Sequence, residues 1–423
     1  MDLLIRSARI IDPHSPHHSQ TKDILIVNGK IESVAEKITN PKKVQEFVHK
    51  GLHVSPGWFD GYASFGDPGF EYKEDLDSGM KAAAQGGFTG VAIRPDTSPP
   101  LQSKGQIEYV LKKTRQSVVN VHPVGAVSQN LEGKEIPEMY DMKEAGAVAF
   151  SNGDVPLSDS GLMLRALQYV LPFNGLIMNV PLTPSISSNG LLNEGKMSVQ
   201  LGMAGNPAIS EELMVNRDIN LAEYTGSRLL LVKVSTERSV KLIREAKRKG
   251  VKVFAAVSVY HLLLNEEMLD GYDSNLKVTP PLRTKADIRA LIRGIEDGTI
   301  DIICSDHSPQ DIESKRKEFE YAENGMISLE SAFGMLNTAL RGKIKLERIV
   351  EAIAIQSRKV FGLEVPSVAK GQSADLTLFD PKMKWTFSEE HIRSKSRNTP
   401  VLGHEFMGKP LAIVNNNKFV KCA

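Results

Sequence analysis

The sequence lacks most of the features that would place a protein outside the ordinary globular class. Only two of its 423 residues are cysteines, Cys304 and Cys422. They are too few and too far apart for a disulfide framework, so a reducing compartment, the cytoplasm, is expected. No stretch offers about 20 uncharged apolar residues, and Arg6 and Arg9 interrupt the apolar N-terminus. Neither a membrane span nor a signal peptide is therefore predicted.

An excess of charge of one sign is missing as well. The 52 basic and 51 acidic residues leave a formal net charge of +1. This balance argues against capture of nucleic acid or of an anionic membrane by bulk electrostatics. The sequence also has no glycine-rich phosphate loop of the GxxxxGK[ST] type, so nucleotide binding has no support. Any partner must be recognised locally.

The middle of the chain contains strand-like and helix-like segments in alternation, which predicts parallel β/α units. The candidate strands end near the following residues: Ala63, Arg94, Val124, Ser151, Asn179, Val234, Ala256 and Ser305. Eight such strands suit a closed barrel, which takes about 250 residues. With 423 residues the chain has room for a second, smaller domain.

The two ends of the chain contain short β-branched runs that predict hairpins. Residues 24–27 and 31–34 flank Asn28-Gly29, a strong hairpin signal because both residues tolerate positive φ. Similar runs near the C-terminus surround Asn416 and Asn417. Neither end can bury a sheet face alone, so we expect one small β-sandwich domain built from residues 1–54 and 366–423, with the barrel at 55–365. Two unrelated terminal hairpins are the alternative.

The most distinctive stretch, residues 55–75, reads SPGWFDGYASFGDPGFEYKED. It resembles the first barrel strand and loop of the dihydroorotase family, a metal-dependent branch of the amidohydrolases. Further matches extend the resemblance over nearly the whole chain, at residues 159–161, 193–195 and 394–400. The resemblance implies an α/β fold, a (β/α)8 TIM barrel of the metal-dependent amidohydrolase type, and a role in pyrimidine biosynthesis.

The positions that bind metal in that family have mostly changed here. The family uses paired histidines on strand one, a carboxylate or modified lysine on strand four, histidines on strands five and six, and an aspartate on strand eight. The corresponding residues are Tyr62, Ser64, Asn152 or Gly153, Asn179, Lys233 and Asp306. Only Asp306, the family's catalytic base position, keeps the family's residue, and the nearest acid on strand four is Asp154.

These changes predict that the metal is lost. Zinc is normally held by three or four nitrogen, sulfur or carboxylate donors, and a protonated ammonium such as that of Lys233 cannot be a ligand. No cofactor is therefore expected, although the resemblance implies zinc for the family. We predict instead that the Lys233 ammonium occupies the space of the metal and offsets the charge of Asp306, because an unpaired buried carboxylate is costly.

The positions that bind substrate have changed too. The family's arginine on strand one and its asparagine after strand two fall on Gly66 and Asp96, and two further positions fall on Thr279 and Gln310. An acid at position 96 would repel a substrate carboxylate. Arg283, in the retained Pro-Pro-Leu-Arg segment, is expected to brace the barrel rather than to bind substrate.

Three functions fit these observations. The first is a catalytically inactive dihydroorotase-like subunit that acts as a structural partner of aspartate transcarbamoylase, as inactive relatives do, with a homodimer of this chain as an alternative or additional assembly. The second is an active cyclic amidohydrolase of the dihydroorotase, hydantoinase or allantoinase type, with an altered centre around Asp306, Asp154 and Lys233. The third is a free-standing scaffold, like the metal-less relatives of hydantoinases. We expect no nucleic-acid or membrane partner.

Overall fold

A computed structural model describes residues 1–40, 43–187 and 190–422 of the chain. Its strands are β1 (Leu3–Ile10), β2 (Thr21–Val27), β3 (Lys30–Ala35), β4 (Gln45–Phe47), β5 (His53–Pro56), β6 (Trp58–Ala63), β7 (Phe88–Ile93), β8 (Asn120–Ala126), β9 (Ala149–Ser151), β10 (Leu176–Asn179), β11 (Leu192–Asn193), β12 (Gly205–Asn206), β13 (Arg228–Leu231), β14 (Val253–Ser258), β15 (Ile302–Cys304), β16 (Leu376–Thr386), β17 (Glu405–Asn415) and β18 (Lys418–Lys421).

Its α-helices are α1 (Leu76–Gln85), α2 (Lys104–Thr114), α3 (Met139–Glu144), α4 (Ser160–Val170), α5 (Pro184–Ser187), α6 (Lys196–Leu201), α7 (Ile209–Thr225), α8 (Glu237–Arg248), α9 (Lys285–Glu296), α10 (Ile312–Lys315), α11 (Ala332–Leu340), α12 (Leu346–Val350) and α13 (Gln356–Phe361). In the described part of the chain, none of these helices combines the length and apolar character needed to cross a membrane.

The central unit is a parallel barrel of eight strands. Strands β6, β7, β8, β9, β10, β13, β14 and β15 lie side by side in this order. The first and last strands meet where Ala63 forms a parallel bridge with His307, and the Ser64 N–H donates to the His307 carbonyl at 2.8 Å. The (β/α)8 fold predicted from the sequence is confirmed.

The barrel strands are apolar on both faces because both are buried. Ile177 and Leu229 pack outward among the residues of the main core, whereas their neighbours Met178 and Leu230 pack inside the barrel. Alternate residues of a strand point to opposite faces, so a strand covered on both sides reads as a continuous apolar run. This pattern leaves polar side chains to the strand ends, where the loops begin.

The two ends of the chain form one mixed sheet, in the order β18, β17, β16, β5, β1, β2, β3, with β4 paired to β1. Asn28 and Gly29 make the predicted turn, with φ of 50° and 75°. The sheet encloses its own apolar core, to which Leu3 and Val414 both belong. Strands from the N-terminal and C-terminal ends of the chain therefore form one sheet and share one apolar core.

Periodicity in the sequence predicts helices at 74–85, 106–116, 160–171, 210–224, 236–249, 284–296, 329–340 and 346–356. All but the last agree with the structure to within three residues. The periodicity overlooks α3, whose six residues are too few to display an amphipathic period. It also ends the last helix at Gln356, whereas the helical path runs from Leu346 to Phe361 through a π-helical turn at Glu351–Ile355. A π turn adds a residue to the helix and breaks the 3.6-residue pattern used for the prediction.

Candidate functional site

Four charged residues stand directly after, or within three residues of, the C-terminal ends of barrel strands. Arg94 follows β7, Asp154 follows β9, Lys233 follows β13 and Asp306 follows β15. In a β/α barrel these ends carry the functional site. Lys233 and Asp306 have φ of 59° and 53°, a left-handed conformation that residues other than glycine adopt rarely and often at functional positions.

The four side chains form one ion-pair cluster, which we call the central cluster. Lys233 Nζ lies 2.7 Å from Asp154 Oδ1 and 3.2 Å from Asp306 Oδ2. Arg94 Nη1 lies 2.6 Å from Asp154 Oδ2 and 3.7 Å from Asp306 Oδ1. Each carboxylate is thus shared between two cations, and the predicted pairing of Lys233 with Asp306 is present.

Hydroxyl groups add hydrogen bonds to both carboxylates of the cluster. Tyr62 Oη donates to Asp154 Oδ1 at 3.1 Å, and Ser258 Oγ donates to Asp306 Oδ2 at 3.1 Å. Tyr260 Oη also donates to Asp306 Oδ2. The Arg94 guanidinium lies 5.1 Å from the centre of the Tyr62 ring, a cation–π contact. Tyr62, at a family metal position, here contributes a hydroxyl and an aromatic face.

The electrostatic environment keeps Lys233 and Asp154 charged. Burial alone would raise the pKa of Asp154, but Arg94 and Lys233 outweigh burial and hold this pKa well below its usual range. Burial would likewise lower the pKa of Lys233, but Asp154 and Asp306 raise it above its ordinary value. Asp306 differs, because burial raises its pKa and Lys233 opposes that change only in part.

The residues at the family's metal positions do not fit a divalent ion. Both oxygens of Asp306 face a cation, and the ammonium of Lys233 stands where the family has a histidine. Among the described residues, no group of three or more His, Cys, Asp or Glu side chains could hold a metal ion. The donor set of this centre therefore suits fixed ion pairs rather than a metal.

The two asparagines at former ligand positions hold loops in place. Asn152 Oδ1 accepts the Ser128 N–H at 3.1 Å, and Asn152 Nδ2 donates to Ser128 Oγ at 2.8 Å. Asn179 Oδ1 accepts the Leu157 N–H at 2.9 Å, and its Nδ2 donates to Asp218 at 2.7 Å. Both amides are fully engaged with the protein and buried.

A cavity of about 200 Å³ lies beside the central cluster. Its lining includes Ser64, Gly66, Asp96 and Gln310, and also Arg94. The structure therefore brings one predicted metal position and three predicted substrate positions together. The fourth substrate position, Thr279, lies in the loop between β14 and α9 and does not line this cavity.

Gly66 has no room for the arginine that the family carries at this position. Its φ is +62°, and a Cβ atom added there would lie 2.7 Å from the Glu74 carbonyl oxygen and 2.8 Å from that of Phe70. Contacts this short with main-chain atoms require the loop to move. The backbone at this position therefore suits glycine, and an arginine side chain would require the loop to take another path.

Arg94 is the functional residue that the sequence interpretation missed. The sequence indicates it only as the end of the second barrel strand, yet its side chain is buried and also lies 3.2 Å from Asp96. The available signal was an arginine directly after an apolar run, at a barrel end where loops form the site. Tyr260 and Ser258 were missed as well, because nothing in the local sequence distinguishes them from core residues.

Arg283 lies outside the central cluster and connects three loops. Its Nε donates to Ser235 Oγ at 3.1 Å, and its Nη1 donates to Asn193 Oδ1 at 2.8 Å and to the Asn206 carbonyl at 2.9 Å. These partners follow β10 and β13, so Arg283 braces the loops above the barrel, as its sequence context predicts.

Solved structures of similar fold include two hydantoinases. The L-hydantoinase (dihydropyrimidinase) from Arthrobacter aurescens superimposes with a TM-score of 0.87 over 99% of this chain and 96% of its own, at 23% identity. A D-hydantoinase gives a TM-score of 0.85 over 100% of this chain and 95% of its own, also at 23% identity. At such identities the likeness concerns the fold alone.

Sequence comparison is more specific. Residues 53–239 match the family described as dihydro-orotase-like, and residues 201–412 match the amidohydrolase family. A dihydroorotase of Syntrophus aciditrophicus is 37% identical over 99% of both chains. A dihydroorotase of Ruminiclostridium cellulolyticum is 40% identical over 97% of this chain and 96% of its own. With relatives this similar along their whole length, the chain belongs to the dihydroorotase family of the amidohydrolases.

Proposed function

We propose that this chain is a catalytically inactive member of the dihydroorotase family, in which a fixed ion-pair cluster has replaced the metal centre. The observation that carries the proposal is the position of Lys233 and Arg94, whose cationic groups contact both Asp154 and Asp306. Cyclic-amide hydrolysis by the family's route needs a metal-activated hydroxide, since the pKa of bulk water is about 15.7. Because both carboxylates of this centre are paired with Arg94 and Lys233, the centre offers no set of ligands that would hold a metal and form such a hydroxide.

The first experiment measures metal and turnover in the same preparation. Protein purified without added metal is analysed for divalent metals and assayed for dihydroorotate formation and hydrolysis. The dihydroorotase of Syntrophus aciditrophicus, prepared identically, is the positive control. We expect far less than one equivalent of metal and no turnover. About one equivalent of zinc that disappears in Asp306→Ala, together with turnover, would refute the proposal.

The second candidate is an active cyclic amidohydrolase with an altered centre. The names of the full-length relatives, all dihydroorotases, favour it. In that case turnover of dihydroorotate or of a hydantoin should be measurable and should be lost in Asp306→Asn and Lys233→Met. If the wild-type protein turns over neither compound, this candidate is rejected.

The proposed role is structural partnership with aspartate transcarbamoylase, with a homodimer of this chain as the unit that assembles. Its support is the resemblance to inactive dihydroorotase-like subunits that assemble in this way. The test co-expresses both chains from one organism and follows their size by gel filtration and the carbamoyl-transfer activity. Co-elution with a more stable or more active transcarbamoylase is expected. Separate elution with unchanged activity would favour the free-standing scaffold.

A further inference from the structure

A second cavity lies on the outside of the barrel, and its lining includes none of the four residues of the central cluster. It is a groove of about 510 Å³ between α1, the end of α2 and strand β18, and we call it the α1–β18 groove. Its lining includes the apolar side chains of Met80, Ala84 and Val420. The last of these packs against the main core. The groove therefore has an apolar floor of fixed shape.

The rim of the groove is basic. It carries four exposed cations, Lys81, Lys113, Arg393 and Lys421, and one exposed acid, Asp77. Lys113 is already paired with the buried Asp67 at 2.6 Å. In the described part of the chain, the other three cations have no carboxylate within ion-pair distance. Since the whole chain has a net charge of only +1, this rim is a local concentration of unneutralised positive charge.

Strand β18 adds main-chain groups to the same region. It is the last strand of its sheet, with β17 as its neighbour on one side. The Cys422 N–H donates to the Leu411 carbonyl at 2.9 Å, and bonded residues alternate along an antiparallel pair. The N–H and C=O groups of Phe419 and Lys421 therefore point away from β17. No hydrogen bond to another described residue uses them, so the strand has an open edge.

We propose that the α1–β18 groove is the docking site for an acidic, extended segment of a partner protein. Carboxylates of the segment would pair with Lys81, Arg393 and Lys421, and its apolar side chains would contact the floor. Its main chain would pair with the open edge of β18, as in recognition by strand addition. None of these contacts involves the central cluster, so a negative binding result would not affect the proposed loss of catalysis.

The groove suits a protein segment better than a nucleic acid. Among the described residues, its lining contains no aromatic side chain on which a base could stack. Phosphates would gain from the four cations but would make no use of the apolar floor or of the strand edge. An alternation of acidic and apolar residues matches all three features, because the side chains of an extended segment point alternately to opposite faces.

The test measures binding of a defined probe, a fluorescein-labelled peptide of ten residues that alternates glutamate and valine. Fluorescence anisotropy is recorded with the full-length protein at low ionic strength. The same peptide with lysine in place of glutamate, and a single-stranded oligothymidylate of equal charge, are the comparison probes. We expect binding of the acidic peptide only, and weaker binding as salt is added.

Two double variants locate the site. Lys81→Glu with Lys421→Glu should weaken binding of the acidic peptide at least about tenfold, since both charges at the groove are reversed. Arg289→Glu with Lys343→Glu is the matched control. It makes the same change of net charge at the basic cavity on α9, which no edge strand borders, and it should leave binding unchanged. If the groove variant is poorly folded, Lys81→Gln with Lys421→Gln replaces it.

Three results would overturn the proposal: no binding of the acidic peptide, equal weakening by the control variant, or equally tight binding of the oligothymidylate. The second would mean attraction by net charge alone, and the third a general polyanion surface. Hydrogen exchange provides an independent readout. The peptide should protect the amides of Phe419 and Lys421, and unchanged exchange at both would exclude pairing with β18.

Discussion

The central cluster illustrates how single residues determine the chemistry of a buried site. Asp306 keeps the family's identity, but its surroundings differ, because Lys233 and Arg94 supply the positive charge that the family obtains from metal. A carboxylate in such a place must be neutralised by something, since an unpaired buried charge costs several kcal/mol. Here two side chains of the protein itself neutralise it.

Replacing Lys233 with Met should lower the free energy of unfolding by about 3 kcal/mol at neutral pH, because it leaves a buried carboxylate undercompensated. The pKa of Asp306, already raised by burial, should rise further. The deficit should therefore shrink as the pH is lowered and Asp306 becomes protonated. Urea unfolding at several pH values measures both effects. Lys285→Met at an exposed site is the control, and equal stability of the two variants would contradict the pairing.

His122 makes a second prediction at this scale. Burial lowers the pKa of its ring to about 4, against about 6.5 in an unfolded chain. Between these values the unfolded chain binds a proton that the folded protein does not, so stability falls on acidification from pH 6.5 towards pH 4. The His122→Phe variant should lose this dependence, about 1.4 kcal/mol per pH unit. Parallel stability curves for the two proteins over this range would contradict the assignment.

Burial of Asp60 gives stability the opposite dependence on pH. Asp60 is unchanged in both proteins of that comparison. Burial raises its pKa to about 7, so the folded protein holds a proton that the unfolded chain has released. This contribution is present at low pH and is lost as the pH rises towards 7. The difference between wild type and His122→Phe cancels it and leaves the histidine alone.

At the scale of elements, the loop after β6 determines what can be restored to the site. Gly66 turns this loop with positive φ close to two carbonyl oxygens. Asn152 and Asn179, which occupy two of the family's metal positions, accept hydrogen bonds from loop N–H groups and hold these loops in place. Reinstating histidines alone would therefore leave Lys233 and Arg94 in the site and would make no room for an arginine at position 66.

The Gly66→Ala variant should be destabilised by roughly 2–3 kcal/mol, because the added Cβ meets main-chain oxygens in a strained conformation. Gly133→Ala is the matched control. Gly133 has a similar φ of +69°, with open space around its Cβ position, so it should cost only about 1–2 kcal/mol for the left-handed backbone. Thermal unfolding compares them, and equal losses would mean that contact with the loop does not matter.

The sequence predicts features that depend on neighbouring residues, and it does not predict contacts that form only when distant segments come together. Asn28 and Gly29 form their turn from local conformational preference, and the strand ends follow from runs of apolar residues. The role of Arg94 depends on Asp154 and Asp306, which lie 60 and 212 residues away along the chain. No local sequence pattern indicates that the ends of β7, β9 and β15 lie close together.

Family resemblance extended the prediction to part of the site. It located the changed positions from Tyr62 to Gln310, and pairing Lys233 with Asp306 followed from the cost of burying a lone charge. It gives no indication of Arg94, because Arg94 occupies none of the family's metal or substrate positions given above. Residues that compensate for a loss lie at other positions and become visible only when the barrel is assembled.

At the scale of the whole molecule, Arg358 joins the barrel to the terminal sheet. Its Nη2 donates to the Gly57 carbonyl at 3.2 Å, to Thr89 Oγ1 at 3.0 Å and to Asp375 Oδ2 at 2.8 Å. Asp375 directly precedes β16, and Thr89 belongs to β7. One buried guanidinium thus contacts both sheets.

Arg358→Met should lower the thermal midpoint by several degrees, because it leaves Asp375 without its buried partner. Calorimetry should also show a broader or divided transition, since the two sheets would then unfold less cooperatively. Arg289→Met removes an exposed arginine from α9 and should change neither the midpoint nor the width. A single sharp transition at the wild-type temperature would show that Arg358 does not couple the sheets.

The positive charges at the barrel mouth belong to Arg94 and Lys233, which are side chains of the protein itself. A protein stabilised by a bound ion gains stability in proportion to RT ln(1 + [L]/Kd), so its folded fraction depends on the free concentration of that ion. Arg94 and Lys233 are present once per chain whatever the surroundings. Under the proposed loss of the metal centre, we expect folding of the barrel to need no delivery of an ion, and we expect a chelator to leave its stability unchanged.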